Sequence, residues 1–258
     1  MKNLVSIIIP TLNSEKTIKR TISSVLNQDY KNWEIIVVDS FSNDKTIKYI
    51  RSFGVKKIKI FSYPKSKGLA GARYHGIKKA KGKLIAFLDS DDEWNKKKLN
   101  YQFKFQNSLN KKFTCTGYSL VNSRNNELKI IPNLERFDFN YLLTNRPIAH
   151  STVMIQRKLA IKVFKSDLRN DYAEDYSWWL LVLKNVDYCY ILRKNLCKIH
   201  LGSENRSFSF IKNFKSLYKI YRNKFNLSNL YIFVVLLKLI YRTFARNVFK
   251  LTSFFLGR

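Results

Sequence analysis

The four residues Asp89-Ser90-Asp91-Asp92 carry three carboxylates. Anions this close raise one another's pKa unless a cation neutralises them. Hard divalent ions with oxygen ligands suit such a cluster, and Mg²⁺ or Mn²⁺ commonly shares its shell with a phosphate. The competing reading is a solvated acidic turn capping the helix after Trp94, because acids favour helix N-termini. Other chemistries find less support. None of His75, His150 and His200 stands in an H-E-x-x-H or comparable zinc spacing. There is no P-loop and no G-x-G-x-x-G, and Gly68-Leu69-Ala70-Gly71 is too sparse to cradle phosphate alone. No serine or cysteine nucleophile has a recognisable partner.

The acidic cluster needs an element to hold it, and the preceding chain supplies a repeating pattern. Leu4–Ile9 is a short β-branched apolar run ended by Pro10, as a buried parallel strand should be. Asn13 or Ser14 caps a helix running to about Asn27, with Ile18, Ile22, Val25 and Leu26 on one face. Strands follow at Trp33–Val38, Lys57–Phe61 and Leu84–Leu88, alternating with helices at Asn43–Phe53 and Gly68–Lys79. Such β-α-β units imply an α/β fold with a mostly parallel central sheet. Open sheets of this kind bind ligands beyond the carboxyl ends of their strands. Polar clusters fall at three such ends: Thr11–Ser14, Asp39–Asp44 and Asp89–Asp92. Further on, the spacing predicts a helix over Lys96–Asn107, strands over Phe113–Val121 and Ile148–Ile155, a helix over Tyr172–Lys184 and a strand over Tyr188–Leu192.

Four motifs now stand in order: Ser6-Ile7-Ile8-Ile9-Pro10-Thr11-Leu12-Asn13, Ile36-Val37-Val38-Asp39, Gly68-Leu69-Ala70-Gly71-Ala72-Arg73, and the run from Gly82 through Leu88 to Asp92. In this order and spacing the chain resembles family 2 glycosyltransferases, from about Val5 to His200. The resemblance implies a GT-A fold, a single nucleotide-sugar-binding domain, and inverting sugar transfer. Pro10, Thr11 and Asp39 would line the nucleoside pocket, and Arg73 would lie near the diphosphate or support that pocket. Asp89-Ser90-Asp91 would be the D-x-D motif, with Asp91 on Mn²⁺ or Mg²⁺ and Asp89 nearer the ribose and metal-bound water. Family members place the general base in a Glu-Asp pair before an aromatic-rich helix, which Glu174-Asp175 matches. Asp175 would then be the base and Glu174 its support or an acceptor contact. Trp178 and Trp179 would wall the acceptor or simply pack in the core. His150 would line the acceptor pocket, and His200 would sit by the metal or the diphosphate. Two departures stand out. Ser40, followed by Phe41, replaces a second acid that can help read the base, and Tyr74 replaces a common Asn.

Composition bounds the rest. The 258 residues suffice for one large or two small domains, and 45% hydrophobic content argues against disorder. Three cysteines, Cys115, Cys189 and Cys197, with no C-x-x-C pair, point to a reducing compartment. The six-residue, largely apolar run after Met1-Lys2-Asn3 is too short for a signal peptide, so the chain is expected to stay in the cytoplasm. The net charge is +30, and the last 69 residues hold fourteen of the basic side chains against Glu204 alone. A GT-A domain over 1–206 and a basic helical tail over 207–258 follow. Lys238, Arg242, Arg246 and Lys250 recur every fourth residue among aromatics, the pattern of an in-plane helix on an anionic membrane surface. That places the chain at the inner face of the cytoplasmic membrane. Its expected partners are a nucleotide-diphosphate sugar, a UDP-sugar first, and a hydroxyl acceptor, lipid-linked or a surface polysaccharide of the bacterial envelope. Two rival classes are a nucleic-acid-binding module and a metal-dependent nucleotidyltransferase. The first predicts steep salt dependence, though the acidic strand ends would repel phosphates without a metal.

Overall fold

A computed structural model describes residues 3–108, 110–164, 174–201 and 210–255. The amino-terminal half alternates β1 (Val5–Thr11), α1 (Ile18–Leu26), β2 (Trp33–Asp39), α2 (Thr46–Ser52), β3 (Ile58–Ser62), α3 (Gly68–Lys79) and β4 (Leu84–Phe87). The pairs β1–β2, β2–β3 and β1–β4 are all parallel. β1 and β2 are buried along their whole length because both faces of the sheet are covered. Side chains alternate between those faces. Ile8, Ile36, Val38, Ile85 and Phe87 enter one core layer, and Ile7, Ile9, Ile35, Val37 and Ala86 enter the other. Helix α3 lies so close to the sheet that a Cβ on Gly76 would stand 2.8 Å from Ile8 Cγ2.

The second half adds β5 (Glu93–Trp94), α4 (Lys98–Ser108), β6 (Phe113–Val121), β7 (Glu127–Ile130), β8 (Arg136–Phe137), α5 (Phe139–Thr144), β9 (Met154–Gln156), α6 (Arg157–Phe164), α7 (Glu174–Leu183) and β10 (Cys189–His200). The sheet order is β3-β2-β1-β4-β9-β6-β10-β5, with β7 on β6 and β8 on β10. β9 runs antiparallel to both β4 and β6, so the parallel half meets a mixed half at β4. The apolar stretch expected as one strand over Ile148–Ile155 divides into a single 3₁₀ turn, His150–Thr152, and the short β9. The expected strand Tyr188–Leu192 continues to His200. Its register on β6 shifts between Leu192 and Lys198, where Arg193-Lys194-Asn195 breaks the apolar run.

Helices α8 (Phe210–Lys219) and α9 (Asn229–Phe255) flank a π turn, Ile220–Lys224. Leu217, Ile220, Tyr221, Ile232, Val235, Leu236 and Leu239 join the same core layer as Trp178 and Trp179. Each aliphatic side chain so buried contributes about 1.5–3 kcal/mol. The boundary expected at residue 206 falls within 202–209, outside the described residues.

Candidate active site

The loop after β4 is held by its backbone. Thr17, Arg20 and Thr21 recur at three- and four-residue spacing and so share one side of α1. Thr17 Oγ1 and Thr21 Oγ1 each donate to the Ser90 carbonyl at 2.9 Å. Thr21 Oγ1 also reaches the Asp92 carbonyl at 2.9 Å, and Arg20 donates to the Asp91 carbonyl at 2.8 Å. These bonds hold the carbonyls of Ser90, Asp91 and Asp92 against α1. Ser14 Oγ lies 2.9 Å from Ser90 Oγ and receives the Thr11 hydroxyl at 3.0 Å, which ties the end of β1 to the same loop. Asn13 and Ser14 do not cap α1 by side chain. The N-cap is Thr17, and Asn13 takes a left-handed backbone with φ 50°.

The three acids of the loop have different fates. Asp89 pairs with Arg73, whose guanidinium donates to Oδ1 at 2.8 Å from a side chain only 5% exposed. Burial pushes the Asp89 carboxyl up, but the Arg73 charge and hydrogen bond outweigh it and hold Asp89 below the usual range. Asp92 is buried. It accepts the Ser151 hydroxyl at 2.5 Å and the His200 backbone N–H at 3.1 Å. Burial and the charges of Asp89 and Asp91 push it well above the ordinary aspartate value. Asp91 is exposed and forms no side-chain ion pair among the described residues. Desolvation along the loop and the Asp89 charge push its carboxyl up. An exposed carboxylate with a raised pKa is one that a cation would stabilise.

The neighbouring strand ends complete the rim. Thr11 pairs with Asp39 in the β1–β2 register, and both are buried. The Asp39 carboxylate accepts the Ser42 hydroxyl at 2.6 Å and the Ser42 N–H at 3.1 Å. Pro10 lies opposite Val38.

The structure also brings α7 against β4. Trp179 lies 5.9 Å from Phe87, two residues before Asp89, and His150 sits 4.6 Å from Phe87 and 5.1 Å from Trp179. His150 is buried with neither ring nitrogen hydrogen-bonded, and burial and the Arg73 charge drive its pKa well down, so the ring is neutral. Asp175, in the first turn of α7, is half-buried and accepts its neighbour Tyr176's N–H at 2.8 Å. Glu174 opens the helix, and its side chain lies outside the described ones. Trp178 stacks on Phe164 at 4.0 Å, and Trp179 stacks on Phe113 at 5.5 Å. Both tryptophans are buried, so neither ring offers a face to a sugar. His200 turns its Nε2 toward Glu93 at 2.7 Å, and Glu93 also pairs with Arg20 at 3.2 Å. Among the described residues no three His, Cys, Asp or Glu side chains gather into a ready-made metal cage.

Three supporting residues escaped the reading of the sequence: Thr17, Thr21 and Ser151. Hydroxyls in an early helix turn and in a 3₁₀ turn carry no motif. The one available signal is the polar stripe Thr17, Arg20, Thr21 and Ser24 beside the apolar face of the helix.

Residues 6–164 match the family model described as "Glycosyl transferase family 2". A UDP-Glc:alpha-D-GlcNAc-diphosphoundecaprenol beta-1,3-glucosyltransferase, WfgD of Escherichia coli, is 39% identical over 182 residues, covering 70% of each chain. The putative teichuronic acid biosynthesis glycosyltransferase TuaG of Bacillus subtilis is 33% identical over 224 residues, covering 86% of this chain and 88% of TuaG. Among solved structures, S. aureus TarS 1-349 in complex with UDP-GlcNAc superimposes with a TM-score of 0.71 at 21% identity, over 97% of this chain and 75% of that one. The expected GT-A fold is the fold found. The carboxyl-end acids, their supporting hydroxyls and these likenesses agree: this chain belongs to glycosyl transferase family 2 and is a nucleotide-sugar glycosyltransferase.

Proposed function

We propose that this enzyme inverts configuration as it moves a sugar from a nucleotide-diphosphate donor, a UDP-sugar first among candidates, to a hydroxyl of a lipid-linked or surface-polysaccharide acceptor. The observation that carries the reading is the division of labour between Asp89, fixed by Arg73, and Asp91, exposed and with no side-chain ion pair among the described residues. Thr11, Pro10 and Asp39 form the nucleoside side of the pocket, and Ser90 belongs to the D-x-D loop that faces the diphosphate. Arg73 supplies positive charge beside the diphosphate while it fixes Asp89.

The donor set suits Mn²⁺ or Mg²⁺, because Asp91 and Asp89 offer hard oxygens and such ions take one or two carboxylates plus phosphate oxygens. His200, whose Nε2 is held by Glu93, stands next in line as a ligand. When bound, the ion supplies Lewis-acid neutralisation of the departing nucleotide diphosphate. The Asp175 carboxylate removes the proton from the acceptor hydroxyl. That oxygen bonds to the anomeric carbon from the face opposite the departing phosphate oxygen, so an α-linked donor gives a β-linked product. His150, neutral and packed between β4 and α7, lines the acceptor side. WfgD, by its name, uses a lipid-linked acceptor. The acid-free, cationic carboxyl-terminal helices support work at an anionic membrane face, as does an outward stripe of large apolar residues on α9. No helix among the described residues is long and apolar enough to cross a membrane.

The test is nucleotide release from candidate nucleotide sugars with Mn²⁺ and acceptor present. Asp175→Asn should slow transfer by about 10²- to 10⁴-fold while nucleotide binding persists. Asp91→Ala should abolish the effect of Mn²⁺ on nucleotide binding. Release by both variants at the wild-type rate would end this assignment.

A further inference from the structure

Between α8 and α9 lies a cleft of about 630 Å³, walled by Phe214, Tyr218, Ile232, Phe233 and Leu236. That volume falls within the range of small-molecule sites, roughly 300–1,000 Å³. Lys215 and Lys219, one helical turn apart, also line it, and both are exposed. No acid occurs from residue 205 to the end of the sequence, so nothing on this segment neutralises them.

The cleft opens onto an unusual surface. Helix α9 buries Ile232, Val235, Leu236 and Leu239 on one side. On the opposite side Leu230, Phe233, Val234, Leu237 and Tyr241 are exposed, and helical geometry places them within an arc of about 100°. Contiguous exposed apolar surface marks an interaction site. Phe233, 60% exposed, belongs to both the stripe and the cleft wall. The same unit is tied to the helix that carries Asp175. Lys224 Nζ donates to Ser177 Oγ at 3.2 Å, and the Tyr221 and Tyr176 hydroxyls meet at 2.7 Å.

We propose that this cleft seats the isoprenoid chain of a lipid-linked acceptor, with Lys215 and Lys219 meeting the diphosphate at its head. The inference rests on the lipid-linked reading above and adds the site. An apolar trough with cations at its edge matches a ligand that is a hydrocarbon at one end and a dianion at the other. A nucleic acid would call for stacking faces along a continuous cationic groove, and here the aromatic and aliphatic walls close on a short cleft.

The test uses the full chain and farnesyl diphosphate, a single-chain isoprenoid diphosphate, titrated by calorimetry. Saturable binding is expected. Phe233→Asp, or the double variant Lys215→Glu and Lys219→Glu, should weaken it at least tenfold while keeping a melting temperature close to wild type. Farnesol should bind at least tenfold more weakly than the diphosphate, and UDP at a concentration that just saturates the donor site should not displace the lipid. Equal binding by wild type and Phe233→Asp would overturn the proposal. So would displacement by UDP at a concentration that just saturates the donor site, which would put the lipid there. Binding to phosphatidylglycerol vesicles without binding to farnesyl diphosphate would make the face a bilayer-docking surface and overturn it as well. Loss of sugar transfer in the donor assay would instead sink the functional reading and leave the lipid titration standing.

Discussion

Ser151 Oγ stands 2.5 Å from the Asp92 carboxylate and 3.0 Å from the Asp89 backbone nitrogen, receiving from the latter the proton-sharing contact that it passes to the former. One buried side chain thus spans the D-x-D loop from its first residue to its last. Its own carbonyl accepts the Trp94 indole N–H at 2.8 Å, so the bracket is itself fixed. Ser151→Ala should take one hydrogen bond from the Asp89 N–H and one from the buried Asp92 carboxyl, which keeps the His200 N–H, at a cost of about 1–3 kcal/mol. A lower melting temperature and a weaker response to Mn²⁺ are expected together. Wild-type melting in this variant would show that the bracket holds nothing.

Lys98 is fully buried, with Nζ 3.6 Å from the Trp94 ring centre and no hydrogen-bond partner. Burial lowers its pKa to about 8, and the nearby Cys197 opposes this only in part. The unfolded chain keeps that proton to roughly pH 10.4. Between about pH 8 and 10 the unfolded state therefore binds more protons, and wild-type stability gains from this lysine as the pH rises. The depressed pKa represents a penalty of roughly 3 kcal/mol at pH 7, against about 2 kcal/mol returned by the ring. Lys98→Met should accordingly melt slightly higher at pH 7, and the difference should shrink towards pH 10. A gap that widens with pH would contradict this account.

Tyr176 donates its hydroxyl to that of Tyr221 at 2.7 Å, and Tyr221 in turn donates to the Leu143 carbonyl at 3.0 Å. Burial holds both phenols protonated, with Tyr221 pushed up to about 12. Tyr221→Phe removes a buried hydrogen bond worth about 1 kcal/mol, or roughly 2–4 °C in melting temperature for a chain of this size. Because Tyr176 follows Asp175 directly, kcat should fall while KM for the nucleotide sugar stays put. A change confined to KM would separate this pair from the base helix.

Phe41 adopts φ 62° with its ring 64% exposed. A non-glycine residue in the left-handed region costs roughly 1–2 kcal/mol, offset in part by the entropy a glycine adds to the unfolded chain. Phe41→Gly should raise stability by about 0.5–1 kcal/mol, seen as a small upward shift in thermal unfolding. A lower melting temperature would mean that the ring makes contacts worth more than the strain.

Much of this was legible beforehand because it follows from local pattern. The largely apolar runs Leu4–Ile9 and Trp33–Val38, the acids at strand ends and the order of the motifs all lie within short windows. Phe113–Val121 and Gly68–Lys79 match their observed elements residue for residue. The irregular elements were not legible. A 3₁₀ turn at His150–Thr152 reads like a strand, because the residues around it are apolar and only pairing with β4 and β6 selects the short β9. The tail read as a cationic amphipathic helix. Its burial of Tyr221 and Leu236 in the main core depends on where α5 and α7 happen to lie.

Alone, the sequence determined the chemistry on offer, since carboxylates at the carboxyl ends of buried strands follow from residue type and period. Only the tertiary structure decided which acid does what. Asp89, Asp91 and Asp92 are neighbours in the chain with the same side chain, but Arg73 reaches the first, solvent the second, and Ser151 with the His200 N–H the third. These partners lie 16 to 108 positions away, and a carboxylate's ionisation is set by what surrounds it in space.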